Sequence, residues 1–124
     1  MISKNAKTIV MSDTNCAKTL VVVVSKSGGT LETLTNESLV RKKFKEEGLA
    51  PKDHFLAVTG KGSPMDNPEE YRESFYMWDF IGGRYSVTSM VGGVALAFSL
   101  GMEKFLDFLK GANSIDQVCH EKDL

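Results

Sequence analysis

The stretch VVVVSKSGGTLETL, residues 21–34, decides the fold. Four valines end abruptly at Ser25, Lys26, Ser27, Gly28, Gly29 and Thr30. A β-branched run without alternation predicts a strand buried on both faces, as in a parallel sheet. That strand is placed at residues 18–25. Beyond the glycine pair, residues 30–47 predict a helix with Leu31, Leu34, Leu39 and Phe44 kept to one side. Gly48 stops it, and Arg41, Lys42, Lys43 and Lys45 suit the negative end of its dipole.

Working outward, KTIVM (7–11) predicts a short strand and HFLAVTG (54–60) a second apolar strand closed by Gly60. Residues 61–74 read as a loop with one helical turn at Pro68-Glu69-Glu70. FYMWDF (75–80) predicts a third strand, more core and sheet edge than stacking platform, and residues 81–86 a turn. Residues 87–100 fit a buried helix with close neighbours, given their small side chains. Residues 102–120 repeat Met102, Phe105, Leu106, Leu109 and Ala112 at helical spacing. Gly111 is expected to divide them, with a capping box at Ser114-x-x-Gln117. This alternation is α/β and implies a parallel sheet flanked by helices, joined by right-handed crossovers.

With 124 residues, 42% of them hydrophobic, one domain with an ordinary core is expected. The formal charge of −1 argues against nucleic acid or a membrane surface as partner. The start has no long apolar h-region, so no signal peptide is expected, and no stretch reaches the roughly 18 apolar residues of a membrane span. A cytoplasmic location follows. Cys16 and Cys119 read as free thiols. Cys119-His120 has no further ligands at zinc spacing, so no metal is expected.

In a parallel α/β sheet, ligands sit at the carboxyl ends of the strands, where the Ser25 to Thr30 turn falls. Glycines allow close backbone approach, and a helix N-terminus offers unpaired N–H groups and partial positive charge. Ser25, Ser27 and Thr30 add hydroxyls, and Lys26 adds a positive charge if it turns inward. Such a set suits a phosphate monoester. It is not a Walker loop: Lys26 precedes the glycines, while Gly60-Lys61 is followed by Gly62 and has Phe55 where a glycine belongs. No G-x-G-x-x-G is present, so a small phosphate ester is preferred to a nucleotide. The plainer alternative is a tight strand-to-helix turn with Thr30 as its cap.

SKSGGTLETLTN (25–36) resembles the phosphate loop of sugar-isomerase (SIS) domains. WDFIGGRYSVTS (78–89) is similar to the signature of one family that uses such domains, the glucose-6-phosphate isomerases, also called phosphoglucose isomerases. LGMEKFLDFLKGAN (100–113) resembles the segment downstream of that signature. The resemblance implies a three-layer SIS-type fold over residues 1–124, a sugar-phosphate substrate, no cofactor and a homodimeric full-length enzyme. Ser25, Lys26, Ser27 and Thr30 fall on the positions that grip the sugar phosphate. Gly83 and Arg84 fall beside the C1–C2 end of the sugar, and Arg84 is expected to project toward the same carboxyl-end cleft. The family often has bulkier residues at positions 28 and 29, and Thr at 27.

Family members are several times longer and carry two SIS domains. The motifs of their glutamate base, ring-opening histidine and C-terminal lysine find no match here, nor does an upstream glycine-serine loop. The chain is therefore expected to be the first SIS domain of a longer enzyme, able to bind but not to turn over. The family reaction moves a proton between C2 and C1 through a cis-enediol(ate), which needs a base and a charge stabiliser. Arg84 suits the stabiliser, its plainer alternative being an ion pair with Asp79. Glu32 reads as a dipole partner or orienter, and His54 and His120 as structural or surface histidines. The rival is a non-catalytic sugar-phosphate-sensing SIS module of a regulator, although nothing resembles a helix-turn-helix. A further possibility is an SIS enzyme with amination chemistry.

Overall fold

In a computed structural model, residues 15–121 are described. The expected strand at 7–11 lies outside them. The chain forms two compact units that divide after Ser74.

In the first unit a short 3-10 turn, Cys16–Lys18, leads to strand β1, Val21–Ser25. Helix α1, Leu31–Glu46, follows the glycine turn. A second 3-10 turn, Pro51–His54, opens strand β2, Phe55–Thr59. β1 and β2 are parallel, in register from Val21 opposite Phe55 to Ser25 opposite Thr59. Strand β3, Glu73–Tyr76, completes the sheet order β1-β2-β3, and the chain passes into the second unit within it. The α/β expectation holds, with a parallel pair of strands joined through a helix.

Two details differ from the sequence reading. Among the described residues β1 stands at the edge of the sheet, and its side chains alternate between faces: Val23 is buried while Val22 and Val24 are exposed. β2, in the centre, is the strand buried along its whole length. The third strand starts and stops earlier than residues 75–80: Glu73 and Ser74 belong to it, and Met77 to Phe80 do not.

The core of this unit gathers Cys16, Val23, Phe44, Phe55, Ala57, Met65 and Tyr71. Phe44 meets the Phe55 ring edge-on at 5.3 Å and lies 5.1 Å from the His54 ring. His54 is structural: its Nδ1 donates to the Thr19 carbonyl at 3.0 Å. Burial, with a hydrogen bond to the Glu47 carboxylate, pushes the Cys16 thiol up.

Of the expected face of α1, Phe44 is buried and Leu39 half-buried, while Leu31 and Leu34 are exposed. Leu31 is 74% exposed, whereas Glu37 is 7% exposed. Glu37 accepts at Oε1 from Arg41 Nε and from the Tyr71 hydroxyl, each at 2.7 Å. The Arg41 guanidinium lies over the Phe55 and Tyr71 rings, 4.4 and 4.8 Å from their centroids. A buried charge needs a partner and satisfied hydrogen bonds, and this arrangement supplies both. Burial, and next the Glu37 carboxylate, drive the Tyr71 phenol well above its usual range.

In the second unit, a 3-10 turn at Gly83–Thr88 precedes helix α2, Met90–Leu100, and helix α3, Met102–Glu121. α2 has the close neighbours its small residues announced. A Cβ on Gly92 would strike the Val87 carbonyl, and one on Gly93 would come within 3.3 Å of the Phe105 ring. The expectation of a buried helix holds only for that glycine face, since Phe98 is 86% exposed. α3 is continuous through Gly111. Ser114 caps nothing; its hydroxyl donates to the Gly111 carbonyl one turn back, at 2.7 Å. Among the described residues, no helix is long and apolar enough to cross a membrane.

Candidate phosphate site at the end of the first strand

β1 delivers Ser25 to its carboxyl end, and α1 begins six residues later. Between them the chain reverses in a tight turn. The Gly28 amide donates to the Ser25 carbonyl at 3.1 Å, and Gly28 takes φ +65°. That left-handed conformation favours glycine. The turn brings Ser25 Oγ to 2.8 Å from Thr30 Oγ1. Ser25 is buried and Thr30 exposed, so the pair runs from the sheet edge to the surface. Only one of the two protons lies in this bond, which leaves the other for a further acceptor.

Ser27 is exposed, and its Oγ accepts from the Gly29 amide at 3.3 Å. Its own proton is therefore not used in that bond. Lys26 is half-buried in the same turn. Thr30 is the N-cap of α1 but makes no side-chain capping bond, so capping does not account for it. The first intrahelical bond reaches Leu34 from the Thr30 carbonyl. The amides of Leu31, Glu32 and Thr33 precede that bond and so have no acceptor within the helix.

Ser25, Lys26, Ser27 and Thr30 thus share one turn at the carboxyl end of a parallel strand. The Gly28 amide is not among its available donors, because it closes the turn. Gly83 and Arg84 open the 3-10 turn of the second unit, and both are exposed. Beside the Ser25–Thr30 turn is a groove of about 290 Å³ whose lining includes Gly28, Leu34, Arg41, Met65 and Tyr71. Sequence reasoning missed the buried group at its wall, Glu37 with Arg41 and Tyr71. Glu37 and Tyr71 are 34 positions apart, so no local pattern announces the bond. Among the described residues, no three His, Cys, Asp or Glu side chains gather as a metal site.

The family model described as phosphoglucose isomerase matches residues 3–123. The chain belongs to the phosphoglucose isomerase family. A glucose-6-phosphate isomerase of Protochlamydia amoebophila is 58% identical over 107 residues, 86% of this chain and 20% of the relative. That of Chlamydia caviae is 58% identical over 112 residues, 90% of this chain and 21% of the relative. The crystal structure of a glucose-6-phosphate isomerase from Chlamydia trachomatis superposes with TM-score 0.90 at 50% identity, over 96% of this chain and 23% of that one. A hypothetical protein from Thermus thermophilus gives TM-score 0.74 at 26% identity, over 96% and 29% of the two chains. The chain spans about a fifth of the length of the curated relatives it matches. As a phosphoglucose isomerase family member, it has the α/β fold that the quoted segments implied.

Proposed function

We propose that this chain is the sugar-phosphate-binding part of a glucose-6-phosphate isomerase, interconverting glucose 6-phosphate and fructose 6-phosphate through a cis-enediol(ate). One observation carries the reading: the Ser25 and Thr30 hydroxyls meet 2.8 Å apart at a helix N-terminus, in a chain of this family. Ser25, Lys26, Ser27 and Thr30 hold the phosphate. Arg84, beside Gly83, stabilises negative charge developing near C1–C2, because guanidinium stays charged throughout. The base and the second SIS domain come from the rest of the enzyme, which works as a cytoplasmic homodimer without a cofactor. The isolated chain binds its ligand and does not turn it over. The relatives named as isomerases favour this reading over a sensing module of a regulator.

The affinity of the isolated turn is bounded by simple sums. A helix terminus contributes about 1–2 kcal/mol toward an anion, and charge-assisted bonds about 1.5–3 kcal/mol each. Association costs offset at least ~4 kcal/mol. Binding is therefore roughly millimolar. The test is an NMR titration of the chain with glucose 6-phosphate and, separately, with glucose. Saturable shifts confined to residues 25–33, and produced by the ester alone, are expected. No shift in that segment at tens of millimolar ester, on the order of ten times the expected Kd, overturns the reading.

A further inference from the structure

The phosphate turn does not hold itself. Thr59, at the carboxyl end of β2, is fully buried and lies opposite Ser25 in the strand register. Its hydroxyl donates to the Ser25 carbonyl at 2.6 Å. Having one proton, Thr59 must accept in its 2.7 Å bond with Ser63 Oγ, so Ser63 donates there. Ser63 Oγ in turn accepts from the Met65 amide at 3.2 Å. The result is one directional chain, from Met65 N–H through the Ser63 and Thr59 hydroxyls to the Ser25 carbonyl. Bonds aligned head to tail in this way reinforce one another.

A second tie lies alongside. The Gly60 amide donates to the Lys26 carbonyl at 2.9 Å. The approach is so close that neither side tolerates a Cβ. One on Gly60 would lie 2.9 Å from the Lys26 carbonyl oxygen, and one on Gly28 would lie 2.7 Å from Ser63 Oγ and 2.9 Å from the Met65 amide. The loop of residues 60–66 is itself braced. Ser63 N–H bonds the Gly60 carbonyl, Asp66 N–H the Ser63 carbonyl, and Gly62 N–H the Asp66 carboxylate.

We propose that Thr59 and Ser63 are positioning residues for the phosphate turn, fixing the Ser25 carbonyl onto β2 beside the Gly60 amide's tie to the Lys26 carbonyl, so that the turn is preorganised for an anion. The electrostatic reason is direct. A carbonyl oxygen facing a phosphate dianion repels it, and these two carbonyls are bonded to β2 and the loop after it. The Ser25 carbonyl also accepts the Gly28 amide, so the Thr59 hydroxyl supports the bond that closes the turn. The loop after β2 thereby becomes part of the site without touching ligand. This inference rests on the phosphate reading above.

The test uses the 124-residue chain with Thr59→Val, Thr59→Ser and Ser63→Ala. Valine keeps the shape and removes the hydroxyl; serine keeps the hydroxyl. Two readouts are taken: amide exchange of Gly28 relative to Leu34, and the Kd for glucose 6-phosphate by NMR titration. Thr59→Val is expected to speed Gly28 exchange about tenfold and weaken binding about tenfold, the order of one net hydrogen bond. Leu34 exchange stays unchanged, and Thr59→Ser restores both values. Ser63→Ala gives a smaller change in the same direction and keeps the idea testable if Thr59→Val does not fold. Unchanged Gly28 exchange and Kd in the folded variants overturn the proposal. If the unaltered chain binds no ester, the phosphate reading fails, and Gly28 exchange still decides whether Thr59 holds the turn.

Discussion

Ser25 Oγ and Thr30 Oγ1 lie 2.8 Å apart, joining the last residue of β1 to the N-cap of α1. Two hydroxyls sharing one proton act as a unit toward an incoming anion. Ser25→Ala and Thr30→Val should each weaken glucose 6-phosphate binding about threefold to tenfold, near 1 kcal/mol. The double variant should lose less than the sum of the two, since each single change already breaks the shared bond. A double-mutant cycle on the NMR-derived Kd values measures this. Strict additivity would mean that the two hydroxyls serve the ligand independently or not at all.

Gly28 and Gly48 separate conformation from crowding. Both are left-handed, at φ +65° and +74°. A Cβ on Gly48 meets nothing within 4 Å, whereas one on Gly28 meets Ser63 Oγ and the Met65 amide inside 3.0 Å. Gly48→Ala should cost about 1–2 kcal/mol, the backbone penalty alone. Gly28→Ala should cost more, and it should also abolish the phosphate-dependent shifts, because the turn must open to admit the methyl group. Urea unfolding of the two variants compares the costs. Equal destabilisation would show that the contact with Ser63 gives way freely.

The buried side of α1 is tested by a similar contrast. Tyr71→Phe removes one of two donors to the buried Glu37 Oε1 and should destabilise the chain by about 1–3 kcal/mol. Leu31→Ala, at an exposed position, should stay within about 0.5 kcal/mol. Urea midpoints in the reverse order would restore the leucine face that the sequence suggests.

That contrast also marks how far sequence reasoning reaches. The strand-to-helix turn was legible because its determinants are adjacent: a β-branched run, hydroxyls, glycines and a helix start in close succession. α1 was legible in extent and only partly in facing: Phe44 is buried as expected, while Leu31 is exposed. Leucines at helical spacing ordinarily report the core, yet here Tyr71, Phe55 and Arg41 make a polar residue the better one to bury. Their meeting depends on a crossover that no local window contains. Hydrophobicity likewise marked Trp78 and Phe98 for burial, while in this chain they are 71% and 86% exposed. Gly111 lowers helix propensity by about 1 kcal/mol, which the surrounding 20-residue helix absorbs without a break.

The two cysteines should differ in reactivity and in its pH dependence. Cys119 is exposed; Cys16 is buried, and desolvation followed by the Glu47 carboxylate raises its pKa. Between pH 7 and 9, iodoacetamide should modify Cys119 first, leaving Cys16 until the chain unfolds. The sign of the linkage is definite. With its folded pKa above the unfolded value, Cys16 contributes stability that is complete below about pH 8.5 and declines as pH rises toward the folded value. Cys16→Ser should flatten that alkaline loss in urea midpoints measured from pH 7 to 10. An unchanged slope would assign the loss to other groups.

Binding and turnover should separate in this chain. On the reading proposed here, Arg84 supplies a permanent cation for a developing oxyanion, and the proposed reaction also needs a base to carry the proton between C2 and C1. Among the described residues, neither Glu32 nor Glu37 suits that role. Glu32 sits in the first turn of α1, where a carboxylate favours the helix dipole and would repel a dianion if aimed at it. Glu37 is held by Arg41 and Tyr71 inside the unit. A coupled assay of the purified chain with fructose 6-phosphate, beside an Arg84→Ala control, should show no isomerase activity in either. Equal activity in both would indicate the host's own isomerase as a contaminant. Activity near that of a whole enzyme, lost in Arg84→Ala, would place the base within these 124 residues and overturn the division of labour proposed here. In a full-length isomerase carrying this segment, Arg84→Ala should lower kcat roughly a hundredfold or more while KM changes little, the signature of an interaction made in the transition state. A rise in KM alone would make Arg84 a binding residue and leave the oxyanion to another group.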